Sequence, residues 1–265
     1  MMRRLITLFR KEVLDLMRNR AALAPVVIAA GFALLMPFSI TLLVPALSHQ
    51  SLGADTELSS LSRVVDGRTA LGDNALVQLF LFQQFLLVFL MMPITGAMSL
   101  AAHAIVGEKQ ARTLEPLLAT PLTTFELLVA KVLGSLMPTL FISALALGLY
   151  LAGIALTADA GVARAMLTLR TLLLVGELAP LAALVSLQFA VVISARVNDA
   201  RTAQQFGVLI VLPLTVLLIA QFTGSFWLTN GAIAAIGVVL FVLWLALTLI
   251  SVVVFDREAI LTRWK

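Results

Sequence analysis

The chain has 265 residues, 61% of them hydrophobic and 12% charged, with a formal net charge of +4 and a mean hydropathy of +1.08. Soluble domains carry about 45–50% apolar and about 25% charged residues, so this composition excludes a soluble globular protein and reads as an all-α integral membrane protein. With no Cys and two His, the chain has no thiol nucleophile, no disulfide framework and no Cys-based metal site.

The first element, residues 1–20, is predicted to be an amphipathic helix. At about 100° per residue, Leu5, Ile6, Phe9, Val13, Leu16 and Met17 share one arc, with Arg3, Arg4, Arg10, Lys11, Asp15 and Arg18 largely opposite. Such a helix lies in the membrane interface, its aliphatics and Phe9 in the acyl boundary and its basic face toward anionic lipid head groups. The mixture of both charge signs argues against a cleavable signal peptide.

Runs of roughly 20 apolar residues, enough to cross a hydrocarbon core of about 30 Å, then divide the chain into spans. Six are predicted, near 21–47, 75–105, 127–157, 167–195, 203–223 and 231–254. None alternates in the manner of a membrane barrel strand, so helices are expected throughout. Pro25, Pro37, Pro93, Pro138, Pro180 and Pro213 fall inside spans and are expected to kink them. Residues 48–74 carry mixed charges and several glycines, and predict a small loop with one short helix. Residues 222–230 join the last two spans as an interfacial turn or a shallow re-entry, since Phe222, Phe226 and Trp227 suit either.

Few polar residues interrupt the spans. Glu177 is the one acid well inside an apolar run, which makes it a candidate for a transport pathway. The alternative is structural: Arg170 lies seven residues earlier, on nearly the same side of a regular helix, and would pair with it. Gln78, Gln83, Gln84 and Gln188 are expected to hydrogen-bond between helices, and Ala144, Gly148 and Ala152 form a small-residue ridge suited to helix packing. His103 reads as a satisfied interface residue, because a lone His is a poor metal site.

Charge sets the expected orientation. With both termini in the cytoplasm, only Arg63, Arg68, Arg164 and Arg170 of the 18 Lys and Arg lie outside. The basic residues thus read as topology signals, and no nucleic-acid partner is implied. Residues 107–131 then face the cytoplasm. There Leu114, Leu117 and Leu118 share one helical side, with Glu108, Lys109, Arg112 and Glu115 mostly elsewhere, and the pattern stops at Thr120-Pro121.

The order of these residues, Glu108, then Thr113-Leu114-Glu115, the Leu117-Leu118 pair and Pro121, resembles the loop of ABC-2-type export permeases that docks onto the ATP-hydrolysing subunit. One departure is Arg112, where the family usually has Gly. The resemblance implies a single permease domain over 1–265, with 108–121 as the coupling loop and the N-terminal helix packed beside it. Glu108, Arg112, Leu114, Glu115, Leu117 and Leu118 are the expected ATPase-docking residues, and Leu5, Phe9, Arg10, Lys11 and Val13 the expected interface-helix contacts. It further implies two ATPase subunits holding ATP and Mg, a second permease copy or homologue, and residence in the cytoplasmic membrane of a prokaryote. The chain carries no GxxxxGK[ST] phosphate loop, HExxH or GxSxG, so hydrolysis is expected on the partner and not here. The competing reading is a non-transport membrane subunit that anchors or regulates a cytoplasmic partner through the same loop.

Overall fold

The computed structural model describes residues 9–11, 13–15, 18–49, 51–54, 56–62, 71–110, 124–194, 197 and 199–254, and all regular structure among them is helical. Six of these helices are long and apolar enough to cross a membrane. They are α1 (Arg20–Ser48), α2 (Asp73–Gln110), α3 (Thr124–Thr157), α4 (Leu169–Ser194), α5 (Ala200–Phe222) and α6 (Asn230–Val254). The bounds match the hydropathy reading to within a few residues, except that α2 continues through Gln110. Glu108 is therefore on the last turn of a helix and not in the loop that follows.

Successive spans alternate in direction. Ser99 near the end of α2 donates to the Ala22 carbonyl near the start of α1 at 2.8 Å, and Lys131 near the start of α3 donates to the Ala104 carbonyl at 3.1 Å. Toward the opposite end of the two helices, the Tyr150 hydroxyl of α3 donates to the Phe82 carbonyl of α2 at 2.9 Å, and its ring packs among Phe38, Phe82 and Phe89. A tyrosine in an apolar core needs such an acceptor for its hydroxyl. The other half of the bundle closes through Gln188 of α4, which donates to Thr248 at 3.0 Å and accepts from Ser251 at 3.0 Å, both on α6.

The core is α2. It packs against α1, α3, α4 and α5, and 89% of its apolar window is buried, against 12% for α5 and 11% for α6. Close approach to α3 depends on Gly96, where a Cβ would stand 2.7 Å from Thr139 Cγ2. Within the chain the small-residue ridge packs against nothing: Ala144, Gly148 and Ala152 are all exposed, and nothing among the described residues lies within 4 Å of a Cβ built on Gly148.

Two spans widen into π-helix, at Ser39–Leu43 in α1 and Leu173–Leu178 in α4. Each stretch contains the residue four before a proline: Thr41 before Pro45, and Gly176 before Pro180. Proline has no N–H for that carbonyl, and a wider turn re-routes the backbone bonding at the least disturbance.

The 208–222 part of α5 packs chiefly on α2. Beside it lies a cleft of about 260 Å³ whose walls include Leu87, Ala182, Val185, Leu214 and Leu240, with no polar side chain among the lining residues.

Candidate docking site and the polar cluster opposite

The long helix α2 carries a polar cluster at each end. At its last turn the apolar run stops at Val106, and Glu108 turns its carboxylate toward two ammonium groups. Lys131 Nζ lies 2.5 Å from Oε2 and Lys11 Nζ 2.7 Å from Oε1. The Lys131 side chain is 2% exposed and Glu108 12%, so water screens this pair weakly, whereas Lys11 is 45% exposed and also reaches Asp15 at 3.4 Å. Next to them, Lys109 Nζ donates to the Val197 carbonyl at 3.2 Å, in the connection between α4 and α5. One helix end thereby ties down the N-terminal segment, α3 and the α4–α5 connection.

One turn further into the bundle, Gln204 of α5 donates to Ser99 Oγ at 3.1 Å and lies 3.1 Å from His103 Nδ1, which is itself 3.0 Å from the Ser99 carbonyl. His103 is thus a satisfied interface residue, as expected. The start of α5 is capped by Asp199, which accepts from the Thr202 N–H at 3.2 Å; that backbone bond holds its carboxyl below the usual carboxylate range.

The residues predicted to dock a partner divide sharply. Arg112, Leu114, Glu115, Leu117 and Leu118 lie outside the described residues, as does Leu5. Glu108 stands at the head of that segment, its carboxylate engaged within the chain by Lys11 and Lys131. Of the expected interface-helix residues, Phe9 and Val13 are half-buried, Arg10 and Lys11 exposed. The sequence reading counted Lys131 only as a topology charge. Its position inside the apolar run VAKVLGSL was the signal that it needed a carboxylate.

At the opposite end, Arg170 is 2% exposed. Its guanidinium lies 4.0 Å over the Trp227 ring and donates to Gln83 Oε1 and Gln221 Oε1, each at 3.3 Å. These contacts join α4 to α2, to the end of α5 and to the α5–α6 connection. That connection is a tight turn, with Gly224 at φ 68° and Trp227 folded inward to stack on Phe80. Neighbouring Leu228 is buried.

Arg170 and Glu177 do not pair: no ion pair joins them among the described residues. The π-helical stretch between them breaks the seven-residue register that a regular helix would have given, because one extra residue rotates the chain by about 100°. Glu177 is half-buried and its carboxylate covers Gly237 of α6, so closely that a Cβ there would overlap it.

Among comparisons with known proteins, the family model described as ABC-2 family transporter protein matches residues 6–248. No curated protein sequence matches the chain.

Proposed function

From the chain's membership of the ABC-2 transporter family, which the match over residues 6–248 establishes, we propose that this multi-pass membrane protein is the permease of an ATP-driven exporter. Two copies, or one copy and a homologue, associate with two separate ATPase subunits that bind ATP and Mg. Both termini and residues 108–121 face the cytoplasm of a prokaryotic cell, where Leu114, Leu117 and Leu118 enter a groove on the ATPase. Glu115 and Arg112 meet charges at the rim of that groove.

The observation that carries the coupling is the Glu108 junction. Force applied to the segment beginning at residue 111 is delivered to the last turn of α2, the central helix. The ion pairs pass it on to α3 and to the N-terminal helix. ATP-driven closure of the ATPase pair then reorients the spans and opens a path outward. Glu177, an ionisable group beside α6, is the pathway residue in this scheme.

Burying a Leu side chain is worth roughly 1.5–3 kcal/mol, so loss of one anchor weakens assembly by about tenfold or more. Leu117→Asp should leave membrane insertion intact and abolish co-purification with the ATPase. Retention of the ATPase at the wild-type level would defeat the docking assignment. Co-purification without stimulated hydrolysis in the wild type would instead favour a non-transport subunit.

A further inference from the structure

The start of α5 is fastened separately from the rest of it. Ala200–Gln205 forms one helical piece capped by Asp199, and a turn at 206–207 precedes Val208–Phe222. Bonds to α2 hold this head: Lys109 reaches the Val197 carbonyl just before it, and Gln204 reaches Ser99 and His103. Gln204 and Ser99 also line a pocket of about 310 Å³ between α1, α2 and α5, so the head forms part of its wall.

The hydrogens of this cluster can be assigned from one end. Ser99 Oγ donates to the Ala22 carbonyl of α1 at 2.8 Å, so it offers Gln204 only lone pairs, and the amide must turn Nε2 toward it. The same Nε2 lies 3.1 Å from His103 Nδ1 and gives it the second hydrogen, which requires Nδ1 to be bare. Nδ1 also stands 3.0 Å from the Ser99 carbonyl, an acceptor that only a protonated Nδ1 can serve. One ring nitrogen thus faces a donor on α5 and an acceptor on its own helix, and a proton decides between them. With hydrogen on Nε2 alone the imidazole is neutral and Gln204 is held. In the imidazolium Nδ1 is a donor; it turns to the Ser99 carbonyl and meets the Gln204 amide hydrogen to hydrogen. The charged groups at this end are Glu108 and Lys109 further along α2, Arg20 on α1, Lys131 on α3, and Asp199 and Arg201 on the head of α5; α4 presents none among its described residues here. The Lys131 ammonium bonds the carbonyl of Ala104, next to His103, and is matched by Glu108.

We propose that His103 is a proton-controlled latch: neutral, it fastens the head of α5 to α2, and on protonation it lets Gln204 go, loosening the head and opening the wall of the pocket. The latch does not depend on the export reading, because it rests on the hydrogen-bond geometry alone.

The test uses the full chain in phospholipid vesicles. His49, exposed and at φ 54°, is replaced by Asn, which suits that backbone and leaves His103 as the single histidine. Nitrogen NMR of the labelled histidine should show Nδ1 bare at about pH 8 and bearing hydrogen at about pH 5.5. Over the same interval, protection of the 200–207 amides from hydrogen exchange, corrected for intrinsic rates, should fall by about tenfold. His103→Asn offers Gln204 an oxygen that takes up no proton, so protection should stay high at both pH values. Gln204→Leu has nothing to give Nδ1, and protection should be low at both. A hydrogen on Nδ1 already at the higher pH, a bare Nδ1 at the lower, or an acid loss of protection as large in His103→Asn as with His103 present overturns the proposal. So does protection unchanged by acid in the parent, the result if Gln204 turned its amide oxygen to the ring and stayed.

Discussion

The two ends of α2 hold charge in opposite ways. At Glu108 a carboxylate meets ammonium groups, one buried and one 45% exposed, so the outer half of the junction can separate into water at little loss. At Arg170 a cation 2% exposed is wedged between two amide oxygens and an indole face, and withdrawing it would remove the donor those two oxygens share in an apolar interior. The lesson concerns which end can move. Rearrangement of the bundle should begin at the Glu108 end and pivot at the Arg170 end.

Substitutions sharpen or break that contrast. The largest effect should come from Arg170→Ala, which leaves Gln83 and Gln221 without their shared donor and opens a void. We expect a loss of about 3 kcal/mol or more in thermal unfolding of the purified protein, with Arg170→Lys losing about 1–2 because it lacks the planar fork and the stacking surface. Midpoints near wild type for both would remove the pivot. Next is Lys131→Met, expected to destabilise by about 2 kcal/mol, since the half-buried Glu108 would keep only the exposed Lys11. Adding Glu108→Gln should recover about 1 kcal/mol of this, and strict additivity of the two changes would show that the pair is not coupled. Lys11→Ala should cost less than about 1 kcal/mol, an effect that shrinks further in high salt. The smallest is Glu177→Gln, whose stability should stay within about 0.5 kcal/mol of wild type because Arg170 is not its partner. A larger drop would mean that the carboxylate has a structural role; altered substrate-stimulated hydrolysis at unchanged stability would mark it as part of the pathway.

Much of the fold could be read from the sequence because bilayer thickness sets span length, and apolar runs record it directly. The start of α5 was placed three residues late at 203, although Asp199, a helix-capping residue, stood ahead of it in plain view. What hydropathy does not reveal is which span is central. Mean hydropathy is 2.8 for the exposed α6 and 2.1 for the buried α2, the reverse of the order expected in a water-soluble protein. In lipid there is no drive to hide apolar side chains, and the amides Gln78, Gln83 and Gln84 mark the interior instead. The Arg170–Glu177 pairing failed for a local reason, the π-helical turn before Pro180, which spacing alone does not expose. Lys131, set in an apolar run, was the overlooked signal for one polar cluster, and Arg170 was assigned to Glu177 in place of the amides and indole that hold it. Of the expected docking residues, only Glu108, at the end of α2, lies among the described residues.

The central claim, that motion enters through a separable Glu108 junction, is tested most directly by ATP hydrolysis in the purified permease–ATPase complex carrying Lys11→Glu. The substitution replaces an attraction to Glu108 with a repulsion at a largely exposed site, so folding and co-purification should survive. Hydrolysis stimulated by the membrane domain should fall by about tenfold or more, equivalent to about 1.4 kcal/mol in the activation barrier. Wild-type stimulation from a fully assembled Lys11→Glu complex would contradict the account.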